Sequence, residues 1–197
     1  MTARLLMTIM AGGWVFGATA PAADLTPTQL AEKTLAAYRD LDTYRSEGTI
    51  TSDLNTGGMD VTIETSFSIL LKKPNRYLIT WNQVNKMLPT MAQPGAVWNA
   101  GDQPYLYMGM MNAYAGMSGD EMALGGATGI SGGAAFTIPS LFLETFADQP
   151  SPFSRLKDPT ITTSEPIEGE ACYVLSGAST ISKKETFWIS KTSYLVR

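Results

Sequence analysis

The chain of 197 residues contains no histidine and a single cysteine, Cys172. The first absence removes the commonest general base and the commonest zinc, copper and haem ligand together. The second rules out an internal disulfide, so the fold must be held by its apolar core. The neighbours Ala171, Tyr173, Val174 and Leu175 mark that thiol as a small buried hydrophobe. Charge is scarce too, at 16% of residues. The apolar run Leu5 to Ala18 is broken by Gly12, Gly13 and Gly17 and falls short of the roughly 20 residues that span a bilayer.

What precedes and follows that run gives it a different meaning. Arg4 stands before it and the small residues Ala18-Thr19-Ala20-Pro21-Ala22-Ala23 after it, the order of a secretory signal peptide. Residues 1–22 are therefore expected to be removed, with the cut after Ala22 or Ala23, leaving residues 23–197 as one exported domain. No cysteine lies at the junction, so no acyl anchor is expected. Losing Arg4 takes the 14 basic residues to 13 against 18 acidic ones, a net charge of -5, which disfavours nucleic acid and anionic surfaces as partners.

The mature chain opens on a helix. Thr26-Pro27-Thr28-Gln29 offers a capping threonine, proline at the first helical position and glutamine three residues after the cap. Leu30, Thr34, Leu35, Tyr38 and Leu41 then follow at helical spacing to about Asp42. From Met59 to Lys72 polar and apolar residues alternate without a break, a long strand with one buried face. The turn residues Asn55-Thr56-Gly57-Gly58 pair it with a strand from about Tyr44 to Leu54, and Lys73-Pro74-Asn75 turns it into Arg76–Trp81. Short strands are expected at Ala96–Asn99, Tyr105–Met108, Thr160–Thr163, Ala171–Ser176, Glu185–Ser190 and from Tyr194 onward. This is an α+β fold, mostly antiparallel: a long sheet that coils around its apolar face, with the N-terminal helix plugging one end. The strand pattern runs to Arg197, so further strands are expected beyond it.

Between about residues 109 and 148 the alternation stops. Seven of the eight methionines after the signal lie from Met87 to Met122, and Met122 to Leu143 carries no charge. Unbranched, polarizable methionine adapts to ligands of variable shape, and acyl chains are such ligands. A glycine-punctuated loop of this length reads as a lid, with Pro139–Phe146 as a short helix. Gly129-Ile130-Ser131-Gly132-Gly133 fits G-x-S-x-G, yet no histidine exists to activate Ser131. Asp120, Glu121, Glu168 and Glu170 read as solvated turn residues. The methionines lack a histidine or cysteine beside them for Cu(I), so neither a metal nor a cofactor is expected.

Three segments resemble the periplasmic lipoprotein-carrier (LolA-like) superfamily, nearest to a branch of uncharacterised predicted periplasmic proteins. Leu70-Leu71-Lys72-Lys73-Pro74-Asn75-Arg76-Tyr77 is similar to its apolar K-R-P-N strand turn. Ala100-Gly101-Asp102-Gln103-Pro104-Tyr105-Leu106-Tyr107 resembles its D-G hairpin. Phe187-Trp188-Ile189-Ser190-Lys191-Thr192-Ser193-Tyr194-Leu195-Val196-Arg197 resembles its W-I-D-x-x-T-x-L-x-R hairpin. The resemblance implies a periplasmic protein built as an unclosed, strongly curved β-barrel of about eleven strands, with an N-terminal helix and a helical lid, sheltering lipid or lipoprotein acyl chains. Where the family has an arginine to hold the lid, this chain has Lys73, which cannot make the same planar contact.

These readings lead to a non-catalytic, monomeric binder or carrier of lipid or lipoprotein acyl chains. The alternative is an envelope sensor or scaffold that binds a partner protein, such as an envelope membrane protein. The expected ligand-binding face is Val61, Ile63, Phe67, Ile69, Tyr77, Ile79, Trp81, Trp98, Tyr105 and Tyr107. Leu141, Phe142 and Phe146 are the expected lid, with Lys73 as its latch.

Overall fold

The computed structural model describes residues 25–56, 59–163, 166–179 and 184–197. The signal peptide expected over residues 1–22 lies outside them. Helix α1, Pro27–Arg39, begins as the sequence dictates: the Thr26 side chain accepts from the Gln29 amide, and the Gln29 side chain accepts from the Thr26 amide. Its face of Leu30, Thr34 and Tyr38 is fully buried.

Strands β1 (Thr43–Thr56), β2 (Met59–Lys72), β3 (Arg76–Asn85), β4 (Gln93–Asn99), β5 (Pro104–Met108) and β6 (Ala113–Gly116) form one antiparallel sheet in chain order. Strands β7 (Lys157–Thr163), β8 (Cys172–Ala178) and β9 (Glu185–Ser190) form a second antiparallel meander. Each sheet keeps its edges, so the α+β barrel is unclosed, with nine strands among the described residues. The expected strand from Tyr194 is reduced to a single bridge, Ile189 to Val196, because Tyr194 turns the chain with a positive φ of 59°.

The long alternation of β2 is borne out. In antiparallel pairing, directly opposed residues share a face, so register fixes what points inward. Ile69 opposes Ile79, Ile79 opposes Val97 and Val97 opposes Leu106, and all four are buried. Both sheets feed one core, in which Phe153, Leu156, Leu175, Phe187 and Ile189 join Leu30, Ile69 and Ile79.

The segment between the sheets is more ordered than a glycine-rich loop suggests. Helix α2 spans Asp120–Ile130 and helix α3 spans Pro139–Phe142, followed by a 3₁₀ turn at Glu144–Phe146. Helix α2 contributes Ala123, Leu124 and Ala127 to the core and packs on β4 and β5. Its glycines Gly125 and Gly129 are exposed, with open space where a Cβ would stand. The chain reverses at Gly132 and Gly133, whose φ values of 64° and 98° side-chain-bearing residues rarely adopt.

Candidate functional site

The segment between the two sheets, expected as a lid, packs on the first sheet through α2. Over β4 and β5 the inner face is taken by α2, held by a polar anchor, while α3 packs against α1 and brings the Phe142 ring to Tyr44 of β1. The Tyr77 hydroxyl donates to Asp120 Oδ1 at 2.9 Å, and Asn99 Nδ2 donates to the same oxygen at 2.8 Å. Asn99 Oδ1 in turn accepts from the Gly101 amide at 2.7 Å. Burial and then the neighbouring Asp120 carboxylate push the Tyr77 phenol well above its ordinary range. Asp120 thus ties the start of α2 to the sheet, where the sequence suggested a solvated turn.

A second tie holds α3. Asn75 Oδ1 accepts from the Thr145 amide at 2.9 Å, and the Pro74 carbonyl accepts from the Glu144 amide at 3.3 Å. Lys73 Nζ donates to the Arg39 carbonyl at the end of α1 and stands 5.4 Å from the centre of the Phe142 ring. The Lys73-Pro74-Asn75 turn therefore touches both α1 and residues 142–145, Lys73 with its ammonium and its neighbours through the backbone and an amide side chain.

Over β1 and β2 the inner face is left open. A chamber of about 820 Å³ lies between it and residues 132–138, with Leu195 and Val196 on the far side. The reason is written in β1. Its inward residues are Tyr44, Ser46, Gly48, Ile50 and Ser52, opposed to Leu71, Ile69, Phe67, Thr65 and Ile63. Ser46, small and opposite Ile69, leaves room on the chamber wall, whereas the place above Gly48 is taken by Phe67. The Phe67 ring lies so close over Gly48 that a Cβ there would stand 2.8 Å from it. At the roof, a Cβ on Gly132 would come within 3.3 Å of Thr65 Oγ1, so the Gly132-Gly133 turn rests directly on the sheet.

A second cavity of about 650 Å³ lies behind that turn, between Phe136 and β9. The two share Gly132, Gly133, Thr137, Val196 and Arg197, so only this turn and the chain near Val196 separate them. Tyr38 closes one end of the core through ring contact with Tyr44 at 5.4 Å, and Tyr44 continues to Phe142 at 6.4 Å. Burial, with Tyr44 alongside, raises the Tyr38 phenol strongly.

Of the residues the sequence nominated, Phe67 and Ile69 line the chamber. Val61 and Ile63 share their face, half-buried, farther along β2. Tyr77, Ile79 and Trp81 face inward but are buried in the core, as are Leu141, Phe142 and Phe146. Trp98, Tyr105 and Tyr107 must be corrected: they point to the outer face. Trp98 opposes Tyr105 with rings stacked 5.4 Å apart, and Tyr107 opposes Tyr114. Bulk misleads here, because the inward positions of β4 go to Gly95, Val97 and Asn99. Gly95 must be small, since a Cβ there would stand 2.3 Å from the Trp81 ring, and Asn99 serves the α2 anchor.

Sequence reasoning missed Ser46, Gly48, Ile50, Thr137 and Val196 as chamber lining. The alternation of Tyr44, Ser46, Gly48, Ile50 and Ser52 was the available signal. Ser131, inside the G-x-S-x-G match, is fully buried. It donates to the Thr128 carbonyl at 3.2 Å and accepts from the Ala135 amide at 3.1 Å, so it closes the turn after α2.

No protein-family model matches the chain, and no curated protein matches it. Among solved structures, it is similar to a domain from Vibrio parahaemolyticus named for outer membrane lipoprotein sorting. The identity is 14%, the TM-score 0.30, and the match covers 85% of this chain and 67% of that one. It is also similar to a DUF1329 family protein from Desulfovibrio piger, at 15% identity and TM-score 0.32, over 86% of this chain and 69% of that one. Among the described residues no helix is long and apolar enough to cross a membrane.

Proposed function

We propose that this protein is a non-catalytic binder or carrier of lipid or lipoprotein acyl chains, working as a monomer in the periplasm. One observation carries the reading: the chamber of about 820 Å³ between the inner face of β1 and β2 and the turn at Gly132. Its size is within the range of about 300 to 1,000 Å³ typical of small-molecule sites. Tyr44, Ile50, Phe67, Ile69 and Ile138 give it apolar walls, and the packing of an ordinary core would have filled it. The signal-peptide pattern around Arg4 and Ala22 supports the compartment, where apolar cargo between two membranes needs shelter from water.

The test is retention of a long-chain fluorescent fatty acid, with native mass spectrometry of the protein recovered from the periplasm. Wild-type protein is expected to hold acyl ligand. Ile50→Asp, on a half-buried position of the sheet-edge strand β1, is expected to lose it while keeping its circular dichroism spectrum. Repeated absence of ligand from the wild type, or equal retention by Ile50→Asp, overturns the proposal.

A second reading, a sensor or scaffold for a partner protein, is favoured by the outer face. There Leu70, Leu78, Trp98 and Tyr105 stand directly opposite one another across four strands, with Leu70 and Leu78 about 40% exposed. Recovery of one stoichiometric protein without lipid would decide for it.

A further inference from the structure

Two cavities lie side by side, and the acyl-chain reading uses only the larger. The smaller, of about 650 Å³, has Phe136, Phe187 and Trp188 among its walls. Close packing seldom leaves such a space without an occupant. Between the two stands the Gly132-Gly133 turn, braced as a fixed wall. The Gly133 amide donates to the Thr128 carbonyl at 2.9 Å and the Ala134 amide to the Ser131 carbonyl at 3.3 Å, while the Gly133 carbonyl accepts from the Phe136 and Thr137 amides at 3.0 and 3.1 Å. On the sheet side the clearance is small. A Cβ on Gly132 would stand 3.3 Å from Thr65 Oγ1 and 3.6 Å from Ile50 Cγ2. Non-bonded carbon atoms pack about 3.5 to 4.0 Å apart, so no acyl chain threads between this turn and the sheet. Away from the sheet, both cavities reach Thr137 and Val196, and the Val196 amide is fixed by the Tyr38 hydroxyl at 3.3 Å.

We propose that the two cavities receive the two chains of one ligand, an amphiphile with a pair of acyl chains joined at one head, which straddles the Gly132-Gly133 wall with its junction at the shared rim of Thr137 and Val196. The inference rests on the acyl-chain reading and names the ligand class for it, two chains and not one. A single chain fills one compartment and leaves the other open. A longer single chain would have to double back over the wall and expose its bend to water. Joining two chains makes the second insertion intramolecular, which raises affinity roughly a hundredfold or more over one chain without any new contact.

The experiment compares three probes with one head group: didecanoyl phosphatidylcholine, decanoyl lysophosphatidylcholine, and eicosanoyl lysophosphatidylcholine, which matches the first in acyl carbon count on a single chain. Each is titrated into delipidated protein and read by native mass spectrometry. The didecanoyl probe is expected to bind once, roughly a hundredfold tighter than the decanoyl probe and tighter than the eicosanoyl one. The decanoyl probe is expected to bind twice at saturation. Thr186 is half-buried and lines only the smaller cavity. Thr186→Trp is expected to bring the didecanoyl probe down to the affinity of the decanoyl one and to leave a single decanoyl site. Thr128→Phe fills the same cavity from α2 and decides the matter if Thr186→Trp does not fold.

Equal affinity for the didecanoyl and eicosanoyl probes, with Ile50→Asp abolishing binding, overturns the two-chain site and leaves the carrier reading standing. Undiminished didecanoyl affinity in a folded Thr186→Trp or Thr128→Phe variant does the same, since the smaller cavity would then contribute nothing. Failure to bind any of the three probes overturns both.

Discussion

Filling the chamber from the β1 side should stabilise the empty protein and disable it, and Ser46→Leu does this with one change. Ser46 faces inward opposite Ile69 and lines the chamber. Its hydroxyl is buried without a hydrogen-bond partner. Removing an unsatisfied buried hydroxyl recovers about 1 to 3 kcal/mol. Fully burying a leucine side chain contributes about 1.5 to 3 kcal/mol, which we halve for a half-buried strand position. Allowing for some local crowding, the net gain is about 2 kcal/mol. A domain of this size shifts its melting temperature by about 2 to 4 °C per kcal/mol, so the rise should be roughly 4 to 8 °C. The assay is calorimetry on delipidated protein, paired with fatty-acid titration of the same sample. Affinity should fall at least tenfold as the side chain occupies ligand space. A lower melting temperature would refute the geometry of the chamber; a higher one with unchanged affinity would refute its role.

Other perturbations probe the supports of the site. Asp120→Ala strands the Tyr77 hydroxyl and the Asn99 amide, both buried, and should cost about 2 to 4 kcal/mol in chemical denaturation, with faster hydrogen exchange in α2. Gly95→Ala drives a methyl group into the Trp81 ring and should cost about 3 kcal/mol, with a shift in tryptophan fluorescence. Lys73→Ala removes the contacts to Arg39 and Phe142 and should speed exchange over residues 139–146 at a cost of about 1 kcal/mol. Tyr38 and Tyr77 have raised folded-state pKa values. Their stabilising effect is complete below pH 10, where the unfolded tyrosines ionise, and is lost as the pH rises further. Stability should fall above pH 10 by about 1.4 kcal/mol per pH unit for each, and Tyr38→Phe should halve the slope.

Legibility in the sequence followed the reach of each interaction. The cap of α1 lies within four residues and the alternation of β2 within one strand, so both could be read directly. The helix α2 could not. Its glycines lower helix propensity, and it forms because Ala123, Leu124 and Ala127 pack on β4 and β5 while Asp120 meets Tyr77 and Asn99, partners 43 and 21 residues away. The same distance effect explains Trp98, Tyr105 and Tyr107. Nothing within β4 or β5 says that α2 will occupy their inner face, leaving inward places to Gly95, Val97 and Asn99 and sending the large rings outward.

The chamber has the opposite character, because what makes it is an absence of bulk. A search for ligand-binding residues favours large apolar side chains, and the large ones here, Ile79, Trp81, Leu141 and Phe142, are buried in the core. Space survives where β1 offers Ser46 against Ile69, beside Gly48 and the Phe67 ring that lies over it. Such small inward residues stabilise an empty fold poorly, since they forgo the burial that leucine or valine would give. That cost is concentrated on one edge strand and beneath one glycine turn. Ser46→Leu therefore separates the alternatives: if the gap is a packing defect, filling it brings only stability, and if the gap serves a ligand, the stability gained is matched by binding lost.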